Sequence, residues 1–175
     1  MNTLMSQGAP VVFAAAFAAL YAAHQVGDHW PSTHRGAMRK GLTKDLALAA
    51  GLHRHAGPRA CAVHVATYTA TGAVFLAVMA SCTGLPLSPL WTVLGLAVSA
   101  ITHYWADRRY TLRWLCRQID RVFPTMRKEE FYTLGAPRPG HDDNPTLGTG
   151  AYALDQSFHI LWLFVAALII AGGAR

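Results

Sequence analysis

The chain has 175 residues, enough for one domain. Its apolar fraction is 53% and its charged fraction 14%, against about 45–50% and about 25% in soluble domains; because the apolar residues fall in blocks, a bilayer suits them better than a soluble core. A net charge of +6 invites nucleic acid as a partner, but the placement of the basic residues points to membrane topology instead.

The first apolar run, about 9–28, is alanine-rich and carries no charge before residue 28. No Lys or Arg precedes it and three further apolar runs follow, so it reads as a retained span and not as a cleaved signal peptide. Near its end stand His24 and Asp28, four apart. A basic loop over 29–59 follows, with a short helix expected within 43–55; His29, His34 and the H-x-H pair His53 and His55 read as solvated loop residues.

The second span, about 60–82, opens on His64, with Cys61 one turn earlier. The three cysteines, Cys61, Cys82 and Cys116, have no C-x-x-C spacing, so they form neither a disulfide framework nor a thiolate zinc site and read as apolar fillers. After the short turn TGLPLSP, the third span, about 87–107, closes on His103 and Asp107, again four apart.

Residues 108–123 place Leu112, Leu115, Ile119 and Val122 at helical spacing with arginines opposite. Such a basic amphipathic helix lies on an anionic lipid surface, or extends the preceding span, more readily than it binds nucleic acid. Residues 135–150, which include His141, are dense in Gly, Pro and Asp and read as an irregular loop. The fourth span, about 152–173, opens on Asp155 and His159, four apart in reversed order. Gln156 leaves that helix about 100° away from Asp155, toward a helix–helix hydrogen bond.

The predicted fold is therefore all-α: a polytopic bundle of four transmembrane helices with a basic amphipathic cytoplasmic helix after the third. Arg35, Arg39, Lys40, Lys44, Arg54 and Arg59 lie in the first long loop; Arg108, Arg109, Arg113, Arg117, Arg121, Arg127, Lys128 and Arg138 lie in the second, 108–151. Beyond these the chain has only Arg175. The positive-inside rule puts both loops in the cytoplasm and both termini outside, in a bacterial inner membrane.

Ionisable groups in apolar spans cost roughly 2.5–3.5 kcal/mol each at a helix centre and mark function. In this topology His24, Asp28, His64, His103, Asp107, Asp155 and His159 all fall near the cytoplasmic interface, and three helices use the same four-residue spacing. That spacing sets two side chains on one helix face, one turn apart. Taken singly, each residue has a plainer reading: Asp28 and Asp107 as end-of-span charges, Asp155 as a helix N-cap. Jointly they describe a His/Asp cage for one or two divalent ions, zinc first, with iron or manganese also suited. A metal-free His–Asp network is the alternative.

The elements H-x3-D (His24 to Asp28, with Gly27 before the Asp), an isolated His64, H-x3-D (His103 to Asp107) and D-Q-x2-H (Asp155 to His159) resemble an uncharacterised family of small bacterial and phage membrane proteins. The motifs cover all four spans. In that family the first motif continues into an aromatic and a Gln; His29-Trp30-Pro31 departs from this. The chain is more loosely similar to bacterial membrane-bound metal-dependent hydrolases.

The function this favours is a membrane-embedded metal-dependent hydrolase, with Asp28 or Asp107 as general base toward a metal-activated water. A cation or proton transporter is the first alternative, although beyond the cytoplasmic ends the spans offer only hydroxyls such as Thr67, Thr71 and Ser99. A non-enzymatic regulator with a structural metal is the second. Small size favours a homo-oligomer in each case. No G-x-S-x-G, phosphate loop or dinucleotide fingerprint is present.

Overall fold

The computed structural model describes residues 8–135 and 149–174. Among these the only regular structure is helical: α1 (Gly8–His29), α2 (His34–Arg39), α3 (Lys44–Ala49), α4 (Ala56–Thr83), α5 (Pro89–Asp107), α6 (Tyr110–Val122), α7 (Lys128–Tyr132) and α8 (Gly150–Gly172), with a 3₁₀ turn at Pro124–Met126. Most of the irregular loop expected over 135–150, with Arg138 and His141, lies outside the described residues.

The four long helices form a ring in which α1 packs on α4, α4 on α5, α5 on α8 and α8 back on α1. Three of them, α1, α4 and α8, are long and apolar enough to cross a membrane. The helix at the expected third span is present, but Pro89, Trp91, His103, Tyr104, Trp105 and Asp107 dilute its apolar run. The second long helix starts at Ala56, four residues before the expected span, because the chain turns into it directly from the loop.

One end of the ring is filled by small and branched residues. Val12, Ala16 and Leu20 of α1, Leu76 of α4, and Leu163, Ala166, Ala167 and Ile170 of α8 are all buried in one cluster. Alanines every third or fourth residue let the backbones approach, which is how helices gain van der Waals contact where lipid supplies no hydrophobic drive.

The other end is closed by the two connecting segments. The first contributes α2 and α3, each with a threonine N-cap: Thr33 Oγ1 accepts from Gly36 N–H and Thr43 Oγ1 from Leu46 N–H. Both pack against α4. Arg108, buried at the end of α5, donates to the carbonyls of Lys40 (2.8 Å) and Leu42 (2.7 Å). A Cβ at Gly57 would lie 2.1 Å from the Leu42 carbonyl oxygen, so only glycine lets the strap pass so close to α4. In the second segment, Asp120 accepts from the backbone N–H groups of Lys128 and Glu129 at the head of α7.

Candidate metal centre

The site lies where α1 and α5 end and α4 and α8 begin. Gly27 permits the approach on the α1 side: a Cβ there would stand 3.2 Å from Thr71 Cβ and 3.4 Å from Tyr68. With α1 drawn onto α4, Asp28 reaches across to His64. The H-x3-D spacing on α5 then presents His103 and Asp107 from one face, as expected for residues four apart.

Four of the expected residues converge on one point. His64 Nε2 lies 2.9 Å from Asp28 Oδ1, 3.1 Å from His103 Nε2 and 3.1 Å from Asp107 Oδ2. His103 Nε2 lies 3.2 Å from Asp107 Oδ2 and 3.6 Å from Asp28 Oδ1. Donors held at 2.0–2.1 Å around a tetrahedral ion stand about 3.3 Å apart, and these five separations bracket that value. This buried Asp/His/His/Asp group could hold a metal ion.

Hydrogen bonding alone accounts poorly for the same contacts. A ring nitrogen carries either one N–H or one lone pair, in one in-plane direction. His64 Nε2 has Asp28, His103, Asp107 and, at 3.5 Å, Lys40 Nζ around it. Asp107 Oδ2 is 3.1 and 3.2 Å from two imidazoles yet makes no directed hydrogen bond with either. Crowding of acceptors without pairing is costly in a buried site; one cation at the centre satisfies all four donors.

The surroundings fix these side chains. Ser32 Oγ lies 2.7 Å from His64 Nδ1, which orients that ring from the side away from the cage. Tyr68 stacks on His103 at 4.0 Å between ring centroids, and its hydroxyl pairs with Ser99 Oγ at 3.0 Å. Lys40 Nζ lies 2.8 Å from Asp107 Oδ1 and 3.7 Å from Asp28 Oδ1. Burial works to lower the Lys40 pKa, but the two carboxylates outweigh it and hold the ammonium above the ordinary lysine value. Two carboxylates against one ammonium leave the cage with one net negative charge, which favours a cation there.

The remaining expected residues sit beside the cage. Asp155 and His159 form a second cluster with Asp107, a ligating atom of each lying within 4.8 Å of the others. His24, one turn back from Asp28, is fully buried. Its Nε2 is 3.1 Å from Gln156 Oε1, the interhelical bond expected of that glutamine, and its ring stacks on His159 at 5.2 Å. His24 belongs to neither donor cluster.

The plainer readings of the carboxylates do not describe this geometry. The Asp107 side chain is 2% exposed and so does not face water, Asp28 is nearly as buried, and the N-cap of α8 is Thr149, six residues before Asp155. Cys61 is buried and donates to the Tyr104 carbonyl at 3.6 Å, away from the cage. His53 and His55 lie together in the exposed turn before α4.

An open pocket of about 480 Å³ borders the cluster. Asp28, Lys40, Asp107, Arg109, Asp155 and Gln156 line it together with Tyr132 and Tyr152. Lys40, Ser32 and Arg108 are the site's residues that spacing did not reveal. Each depends on the first connecting segment folding back over the bundle, which no local pattern announces. Comparisons with known protein families, curated proteins and solved structures give no match.

Proposed function

We propose that the protein is a polytopic membrane metalloprotein in which α1, α4, α5 and α8 all span the bilayer and Asp28, His64, His103 and Asp107 hold a divalent ion. The observation that carries this reading is the convergence of four N and O donors at tetrahedral spacing. That geometry favours zinc over manganese, which prefers six oxygen ligands, and over iron.

The basic connecting segments support a site on the cytoplasmic side of a bacterial inner membrane, by the positive-inside rule. The amphipathic α6, with Trp114 and Val122 exposed and arginines alongside, then lies against anionic lipid at that surface.

The activity we propose is hydrolysis at the adjoining pocket. A divalent ion supplies a nucleophilic water at neutral pH and polarises the bond to be cleaved. Of the protein's own groups, Asp28 or Asp107, through whichever carboxylate oxygen the ion leaves unligated, is the one we assign to take up a proton. Lys40 engages Asp107 through its other oxygen, Oδ1, and so keeps Oδ2 turned to the imidazoles. Transport is the weaker reading, because among the described residues the buried cluster at the far end of the ring is mostly Ala, Val, Leu and Ile and holds no ionisable group apart from the Tyr68 phenol. A purely structural ion is favoured by one observation, the closure of the cage by four protein donors.

Elemental analysis of the purified protein tests the reading. At least one zinc per chain is expected, lost in His103→Ala and His64→Ala. Wild-type protein without bound metal after zinc loading overturns it.

A further inference from the structure

Four protein donors close the first position, whereas metal sites that do chemistry keep a coordination place open. The second cluster has that character. Asp107, Asp155 and His159 each bring a ligating atom within 4.8 Å of the other two, which makes three protein ligands and no fourth among the described residues. Asp155 is the most accessible of the six clustered carboxylates and imidazoles, at 26% for its side chain, and it lines the open pocket with Asp107.

The third ligand is already prepared. His159 is 4% exposed, and its Nδ1 donates to the Asp155 carbonyl at 2.7 Å. That bond places the ring proton on Nδ1 and leaves the lone pair on Nε2. Nε2 is buried and meets no hydrogen-bond partner among the described residues. A buried acceptor left alone is uncommon and asks for an explanation, an ion among them. The same backbone bond is the usual orienting contact of a metal-binding histidine.

Charge sets what an occupied site would attract. Asp28, Asp107 and Asp155 bring three negative charges to the combined site, and Lys40 is the cation paired with two of them. One divalent ion makes that set neutral. A second makes it cationic, and it would then draw an anionic substrate into a pocket whose rim already carries Arg109 and His29.

We propose that Asp107, Asp155 and His159 hold a second divalent ion, that Asp107 bridges it to the first, and that this open position is the one facing substrate. The inference rests on the proposed metal reading and extends it from one closed site to a two-ion site, with Asp155 and His159 as its distinguishing ligands. Two ions about 3.5–4 Å apart sharing a carboxylate form an arrangement suited to cleaving ester bonds of anionic substrates.

The experiment is titration of the metal-stripped full chain, in detergent, with zinc and separately with manganese. About two zinc ions per chain are expected, falling to one in His159→Ala and to one in Asp155→Asn. The asparagine variant is isosteric and lies at a partly exposed position, so it keeps the test open if the histidine variant fails to fold. Loaded with manganese, the wild type should give the multiline electron paramagnetic resonance signal of a coupled pair, and Asp155→Asn the signal of an isolated ion. One zinc per chain at saturation overturns this inference and leaves the closed site standing. Two ions that survive in both variants also overturn it. No bound metal overturns both this inference and the reading it rests on.

Discussion

The two ends of the helix ring solve the packing problem in opposite ways. At one end Ala16, Ala166 and Ala167 bring the backbones together and Leu20, Leu76, Leu163 and Ile170 fill what remains. At the other, the positions facing inward on the same helices are His24, His64, His103 and His159, with Asp28 and Asp107 beside them. The apolar end is held by many small and interchangeable contacts. The polar end depends on a few directed ones, none of which can be removed without stranding its partner. A single helix therefore carries a tolerant half and an intolerant half, and substitutions should separate them.

The largest effect is expected at Asp107. In Asp107→Ala, Lys40 loses its 2.8 Å partner while still largely buried, and both donor clusters lose a member. A loss of about 3–5 kcal/mol is expected for a buried pair broken on one side, together with near-complete loss of zinc. Thermal unfolding in detergent and elemental analysis read the two effects. Retention of full metal content would break the comparison.

At the apolar end, Leu163→Ala should cost about 2–5 kcal/mol by opening a cavity, with zinc content unchanged. Gly95→Ala should cost less, about 1–3 kcal/mol: its Cβ would meet Ile170 Cγ1 at 2.7 Å and the Ala166 carbonyl at 2.8 Å, pressing α5 away from α8. If either substitution released zinc as readily as Asp107→Ala, the two ends would not be separable.

The smallest effect on folding is expected from Ser32→Ala. It removes the 2.7 Å contact that orients His64 and leaves the cage donors in place. Zinc affinity should fall about 10–100-fold, as for other groups that support a metal ligand, while the melting temperature of the metal-free protein barely moves. A competition titration against a chelator measures it.

The apolar end was readable as soon as the hydrophobic blocks were, since packing there follows from composition. The polar end was readable for a different reason: His24 with Asp28, His103 with Asp107, and Asp155 with His159 repeat one spacing, and helix geometry turns that spacing into a shared face. Periodicity does not say how deep each face sits or which neighbour it meets. Spacing alone therefore groups His24 with the cage, whereas the structure places it on Gln156 and His159. Lys40 was legible only as a charge that sets topology. Its second role comes from a turn fastened by Arg108, through a contact spanning 68 residues of sequence. The α5 helix is anticipated at nearly its observed bounds, although it is not among the three long helices apolar enough to cross a membrane.

The strap over 40–42 also decides where this protein can be handled. Its carbonyls are committed to Arg108 and its path is pinned against Gly57, so an epitope or fluorophore inserted there would dismantle the wall of the His/Asp cluster. Ten residues further on, Gly51 turns at φ 67° with nothing within 4 Å of where a Cβ would sit. A reporter attached to that turn rides on the same segment without touching the site.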